Sequence, residues 1–131
     1  MSMYIRETNG VVPISLDKSQ LSIYGKLYNE RTLPGITANS SLNDIVERKL
    51  LPDMSSIALW INEHTKYGQE VRRDTHDGSL YGHLIISRYQ GDYHLRAWSF
   101  DRPVIYLNAY STVNDKGWWN TWYQVQLKAV S

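Results

Sequence analysis

The residues best suited to chemistry in this sequence lie near its C-terminal end, where tryptophans stand beside amides. Trp118 and Trp119 come directly before Asn120, and Asn114 and Asp115 precede them in a turn. Sugar rings stack on the flat apolar faces of tryptophan, while amide and carboxylate groups hydrogen-bond sugar hydroxyls. Loops that project from a rigid sheet are where binding residues concentrate. These five residues are therefore predicted to form the edge of a recognition surface.

Core packing is the alternative role for the two tryptophans. Adjacent residues of an extended strand point to opposite faces, so at least one of Trp118 and Trp119 is predicted to be exposed. Truncation separates the two roles, because removing a buried Trp costs about 3 to 5 kcal/mol, whereas removing an exposed Trp mainly weakens binding. We expect Trp119 to be the exposed residue, so that its replacement by Ala barely changes the melting temperature.

A charged stretch at residues 63–79 holds the second group of candidates. Arg72, Arg73 and His76 could contact a ligand, and the alternative is a solvated loop with no binding role. The stretch is polar and two glycines punctuate it, which predicts an exposed excursion or a short hairpin.

Motifs of catalytic or metal-binding sites are missing from this sequence. Its four histidines show neither His-x-His nor His-x-x-x-His spacing, and the lack of cysteine excludes thiolate catalysis and cysteine-ligated zinc. The aspartates between residues 74 and 115 fall at turns, where Asp is favoured for its backbone hydrogen bonds. No Gly-x-Ser-x-Gly elbow or glycine-rich phosphate loop is present. The sequence therefore predicts a protein without catalysis, metal or cofactor.

The composition limits the classes of partner. The 14 Lys and Arg residues against 13 Asp and Glu give a formal net charge of +1, which disfavours nucleic acid as a ligand. No run of 18 apolar residues occurs, and residues 1–10 lack the apolar segment of a signal peptide. Neither membrane insertion nor secretion by that route is expected, so synthesis in a cytoplasm is predicted.

A sheet must position the candidate residues, and residues 80–123 predict one. This stretch carries four of the five tryptophans and six of the ten tyrosines. Its residues alternate between two sides of an extended chain, with the two-residue period of a half-buried strand. Short turns at 90–92, 101–103 and 114–117 separate the alternating runs. Four consecutive antiparallel strands are therefore predicted, the last of them within residues 121–130.

Two further elements are predicted before this sheet. The side-chain oxygens of residues 39–41 can cap a helix, and apolar residues follow at helical spacing until Pro52. Residues 55–64 alternate in the manner of a strand, with a short buried helix as the alternative.

The N-terminal part of the chain is predicted to form a separate piece. An Asn-Gly pair between apolar runs favours a hairpin at residues 3–16, and residues 21–29 offer another strand. Turn-forming residues mark a boundary near residue 36. We therefore predict a mainly β fold. A small antiparallel β-sandwich or sheet domain with one short helix occupies residues 37–131, and an N-terminal β-hairpin segment for mounting or oligomerisation occupies residues 1–36.

Several short motifs resemble one known family. They are Leu-Asn-Asp-Ile at 42–45, Tyr-Gly-His-Leu-Ile at 81–85, the aromatic strand 93–100 and Gly-Trp-Trp-Asn-Thr-Trp at 117–122. Together they resemble the knob-type receptor-binding segment of bacteriophage tail fibres and related tail-like particles, over residues 37–127. The resemblance implies a virion component that binds a host-surface glycan or another structural subunit, commonly as a trimer and without catalysis.

Three functions follow from these observations. The leading hypothesis is a non-enzymatic phage or prophage attachment protein that binds a host-surface glycan and resides in the virion. The alternatives are a structural virion or assembly protein that contacts other capsid or tail subunits, and a polysaccharide-cleaving enzyme. A homo-oligomer is expected because a hairpin at residues 3–16 is too small to be stable alone, and the resemblance to tail-fibre knobs implies that it is a trimer. A monomer near the chain mass of 15.2 kDa in light scattering would contradict this expectation.

Overall fold

The structure, a computed structural model, describes residues 25–130 and is mainly β, as predicted. The predicted hairpin at residues 3–16 lies outside the described residues. In chain order, the elements are β1 (Leu27–Asn29), α1 (Leu42–Glu47), β2 (Ser55–Ile61), α2 (Lys66–Asp74), β3 (Gly82–Tyr89), β4 (Asp92–Ser99), β5 (Ile105–Val113), β6 (Lys116–Trp119) and β7 (Tyr123–Gln124).

All seven described strands belong to one sheet with the order β1-β2-β3-β4-β5-β6, and β7 also pairs with β5. Each pair of adjacent strands from β2 to β6 is antiparallel, whereas β1 runs parallel to β2. The predicted strands at β2, β3, β4 and β5 are confirmed. The predicted last strand at 121–130 is wrong beyond Gln124. Two short strands, β6 and β7, pair with the same edge of β5 instead of one long strand.

The two faces of the sheet differ in what covers them. One face carries Leu84, Ile86 and Leu95, which are buried in a single apolar core with Ile45 of α1 and Val71 of α2. We call this side the helix face. The alternate residues of the same strands form the opposite side, which we call the open face because tryptophan side chains on it are exposed.

Helix α1 begins where the sequence predicts, because residue 41 supplies a complete cap. The Ser41 hydroxyl accepts a hydrogen bond from the Asp44 amide at 2.9 Å, and the Asp44 carboxylate accepts one from the Ser41 amide at 3.2 Å. The helix ends after Glu47, and Lys49 then adopts a left-handed conformation with φ 54°.

The prediction of an exposed excursion or short hairpin at residues 63–79 is wrong, because helix α2 occupies much of this stretch. The described residues therefore contain two helices, whereas one was predicted. Thr65 caps α2 by accepting a hydrogen bond from the Gly68 amide at 3.2 Å. Its buried side, formed by Tyr67, Gly68 and Val71, faces the sheet. Gly68 is required there because an added Cβ would lie 2.6 Å from the carbonyl oxygen of Asn62.

The predicted boundary near residue 36 falls inside the described part of the chain. Strand β1 pairs with β2, and Ile36 is buried in the core. Residues 27–36 thus pair with and pack against the rest of the sheet domain, and a mounting or oligomerisation role for residues 1–36 stays a prediction. None of the helices in residues 25–130 has the length and apolar character needed to cross a bilayer.

Candidate functional site

A cleft of about 530 Å³ on the helix face brings four of the eight predicted site residues together. They are Arg73 and His76, at the end of α2 and just after it, and Trp119 and Asn120, at the end of β6. Further lining residues were not predicted as part of a site: Asn43, Glu70, Asp74, Asn108, Thr121 and Trp122. The cleft thus lies where the start of α1, the end of α2 and the edge of the sheet meet.

Trp119 is held in place on one side of this cleft. Its indole Nε1 donates a hydrogen bond to Asn43 Oδ1 at 3.0 Å, which ties β6 to the first turn of α1. Its ring packs edge-on against Tyr110, with centroids 5.0 Å apart. Tyr110 in turn packs edge-on against Tyr93 in the core. The indole is therefore fixed before any ligand arrives.

The expectation that Trp119 is the more exposed tryptophan of the pair is wrong. Trp119 is half-buried and packs against the core, whereas Trp118 is 48% exposed on the open face. The alternation along β6 decides this outcome, because Trp119 pairs with Tyr110 and shares its orientation toward the helix face. Trp118 therefore lies on the side of the sheet away from the cleft.

Trp122 lines the cleft together with Trp119. It is partly buried against the core. The amide of Asn120 donates to the carbonyl of Ala109 at 2.9 Å, and the Asn120 side-chain amide donates to the same oxygen at 3.3 Å. These bonds hold the link between β6 and β7 against β5, so both indoles have a rigid backbone behind them.

Charged groups form the opposite rim of the cleft. Arg73 and Asp74 make a two-point ion pair, with N–O distances of 2.7 and 3.1 Å. This hydrogen bonding raises the pKa of Arg73, so the guanidinium stays charged. Glu70 accepts a hydrogen bond from the Leu42 amide at 2.8 Å, which joins α2 to the start of α1. The rim therefore offers a cation, carboxylates and the His76 imidazole at the surface.

Beside the cleft, Asp77 anchors the loop between α2 and β3. Its carboxylate accepts hydrogen bonds from Tyr106 Oη at 2.8 Å and from Arg102 Nη2 at 3.0 Å, and its side chain is only 9% exposed. Burial raises the pKa of Asp77, but the hydrogen bonds from Tyr106 and Arg102 outweigh burial and leave the pKa below its ordinary value. Asp77 thus acts as an ionised anchor in the structure.

Replacing Asp77 by Asn should destabilise the protein by about 1 to 2 kcal/mol at neutral pH, because it removes a charged acceptor from Arg102 and Tyr106. The lowered pKa means that this stabilisation is present above the unfolded-state pKa of about 4 and is lost as the pH falls through the folded-state value. Thermal melts of parent and variant between neutral and acidic pH should therefore converge at low pH. Asp115→Asn, at an exposed turn, is the matched control, and a constant difference across pH would contradict the assignment.

The other four predicted residues lie elsewhere. Arg72 donates a hydrogen bond to the Gly78 carbonyl and so tethers the loop that follows α2. Asn114 and Asp115 form the two-residue turn between β5 and β6, with φ of 53° and 63°, which explains their types without a ligand. Both line a second cleft of about 1050 Å³ at that end of the sheet. Trp118, the fourth of these residues, lies on the open face.

Metal binding finds no support in the part of the chain that the structure describes. Within residues 25–130, no group of three or more His, Cys, Asp or Glu side chains is arranged to hold an ion.

Comparison with known proteins returned no match. A scan against protein-family models, a search of curated proteins and a search of solved structures each found nothing similar to this chain. The resemblance to tail-fibre knobs therefore stays a prediction.

Proposed function

We propose that this protein is a non-enzymatic carbohydrate-binding domain whose ligand occupies the cleft beside Trp119 and Trp122. The observation that carries the proposal is the combination of two indoles with amide and charged side chains in one cleft of about 530 Å³. Small-molecule sites have volumes of about 300 to 1,000 Å³ and combine apolar walls with a few polar groups. A glycan of one or a few sugar rings is the ligand of matching chemistry.

The fixed indole favours binding by stacking. Asn43 and Tyr110 already immobilise Trp119, so little side-chain entropy is lost when a sugar ring stacks on it. Asn120 and Asn108 lie beside the indoles, and Arg73 and His76 lie on the opposite rim. Their amide, guanidinium and imidazole groups are partners for sugar hydroxyls.

The biological setting of the proposal comes from the resemblance of the sequence motifs to tail-fibre knobs. On that basis the ligand is a host-surface glycan and the protein is a virion attachment component. Polysaccharide cleavage would need a carboxylic acid poised for proton transfer, whereas the carboxylate of Asp77 is engaged by Arg102 and Tyr106.

A second candidate function is a structural role in a virion, in which the protein contacts other subunits. The observation in its favour is the exposed aromatic surface of the open face, including Trp60, Trp98 and Phe100. This surface lies on the side of the sheet opposite the cleft, so the two functions can be tested separately.

Binding of the parent protein to immobilised host-type polysaccharides and to intact bacteria tests the proposed function. We expect Trp122→Ala to reduce glycan affinity at least tenfold, because the cleft loses one of its two indoles. Trp118→Ala is the matched control, since it removes the same side chain from the opposite face and should leave the affinity unchanged. Equal loss in both variants, or the absence of glycan binding by the parent, would refute the proposal. Turnover of the polysaccharide that vanishes in Asp77→Asn would instead indicate an enzyme.

A further inference from the structure

One side of helix α2 forms the charged wall of the cleft, across from the two indoles. Glu70, Arg73 and Asp74 line this wall, at positions i, i+3 and i+4 of the helix. Residues with this spacing lie on one helical face. We call these three residues the acidic wall, because it presents two carboxylates and one guanidinium to the cleft.

The charge of the guanidinium is already compensated within the chain. Arg73 Nε and Nη2 donate hydrogen bonds to the two carboxylate oxygens of Asp74 at 2.7 and 3.1 Å, which raises the pKa of Arg73. Among the described residues that line the cleft, Arg73 is the only Lys or Arg. An anionic ligand in the cleft would therefore have to compete with Asp74 for its one permanent cation.

Glu70 keeps one carboxylate oxygen for a ligand. Its Oε1 accepts a hydrogen bond from the Leu42 amide at 2.8 Å, which fixes the side chain against the start of α1. Its Oε2 has no hydrogen-bond or ion-pair partner within residues 25–130. A carboxylate oxygen accepts hydrogen bonds and donates none, so the group that binds there must be a donor such as a sugar hydroxyl.

Together these groups make the cleft negative. Two carboxylates against one guanidinium leave a formal charge of −1, with His76 counted as neutral. A carboxylate on a bound sugar would lie in the same small site as Glu70 and Asp74, and like charges brought together oppose binding. Neutral sugars avoid this repulsion, because their hydroxyls can donate to both carboxylates.

We propose that the cleft selects neutral sugars over acidic ones, and that Glu70 is the acceptor that determines this specificity. The inference rests on the proposed glycan-binding function, since it concerns the same cleft. A neutral ring stacks on the indole of Trp119 or Trp122, and one of its hydroxyls donates to Glu70 Oε2. Uronic and sialic acids are disfavoured because their carboxylates meet the acidic wall.

Paired oligosaccharides test this selectivity in the full chain. Each pair consists of a neutral hexose oligosaccharide and its uronic-acid counterpart, which differ only by a hydroxymethyl group or a carboxylate on each ring. On an array of such pairs at low salt, the parent should bind the neutral members at least about tenfold more tightly. The difference should shrink as added salt screens the charges.

Two variants of the acidic wall assign the effect to its residues. Glu70→Gln keeps a carbonyl oxygen for the Leu42 amide, and it should bind neutral members at least about fivefold more weakly than the parent does. Asp74→Asn leaves the charge of Arg73 uncompensated, so it should bind acidic members more tightly than the parent does. Glu63→Gln is the matched control, because it removes the same charge from a 62% exposed side chain outside the cleft and should change neither affinity.

The outcomes separate this inference from the function on which it rests. A parent that binds no member of any pair would refute glycan binding and the selectivity together. A parent that binds glycans but prefers the acidic members, or discriminates equally at high salt, would refute the selectivity alone. Thermal melts establish that each variant is folded, and unchanged affinities in a folded Glu70→Gln protein would remove Glu70 from its assigned role. If that variant does not fold, Asp74→Asn decides, and unaltered binding of acidic members by it would overturn the proposal.

Discussion

Replacing Trp119 by Ala should lower the free energy of unfolding by about 2 to 4 kcal/mol, whereas Trp118→Ala should change it by less than about 1 kcal/mol. Trp119 packs on Tyr110 and donates a hydrogen bond to Asn43, so its removal leaves a void and an unpaired amide oxygen. Trp118 is 48% exposed and points the other way. Chemical denaturation of the two variants measures the difference directly.

The Trp119 variant should also lose glycan binding, since the stacking surface disappears with the indole. Asn43→Ala separates orientation from stacking, because it keeps the ring but removes the bond that fixes it, at a stability cost of about 1 kcal/mol. Similar stabilities for the Trp118 and Trp119 variants would contradict the positions that we assign to them. A folded Trp119→Ala protein with parental glycan affinity would remove Trp119 from the site.

Gly82→Ala should be among the most destabilising single substitutions in this chain, at about 3 kcal/mol or more. Gly82 is buried at the start of β3 opposite Ser99, and an added Cβ would overlap the carbonyl oxygen of Trp98 on β4. The obstacle is backbone rather than a flexible side chain, so the two strands must separate to admit the methyl group.

The control for this substitution is Gly78→Ala. An added Cβ at Gly78 meets no other atom within 4 Å, so this variant should melt close to the parent. Thermal denaturation of both proteins tests the claim, and comparable losses in the two variants would show that the pairing of β3 with β4 is not as close as described.

Local sequence patterns correctly predicted those elements whose stabilising interactions lie within one short stretch of the chain. Most positions of strands β2 to β4 alternate between buried and more exposed residues, as in Ile57, Leu59 and Ile61 of β2. The exceptions are Ser56, Ser87 and Arg96, which are buried on the open face. The start of α1 followed from a capping box within four residues. Such patterns are readable because the interactions that stabilise them join neighbours in the sequence.

Helix α2 was missed because its apolar side is small. Tyr67 and Val71 are its only buried side chains larger than glycine, and Gly68 resembles a helix breaker until its contact with Asn62 is known. Composition therefore favoured a loop, and contact with the sheet decided the outcome.

The cleft was only half predicted for a related reason. Asn43 and Trp119 are joined by a hydrogen bond across 76 residues of chain, and no local sequence pattern around Asn43 indicates this contact. Trp122 was also missed as a site residue, although the sequence Gly-Trp-Trp-Asn-Thr-Trp at residues 117–122 places it close to the other two tryptophans. For Asn114 and Asp115, the geometry of the turn accounts for both residue types.

The short strands at both edges of the sheet limit how other chains can join it. Strand β1 has three residues, and the opposite edge is divided between β6 with four and β7 with two. An incoming peptide needs a long, straight row of unpaired amides and carbonyls to add itself as another strand. Neither edge offers one, so the described sheet is poorly suited to growing into fibrils through main-chain pairing. Any partner must instead be selected by side-chain chemistry, which single substitutions can retune without disturbing the backbone.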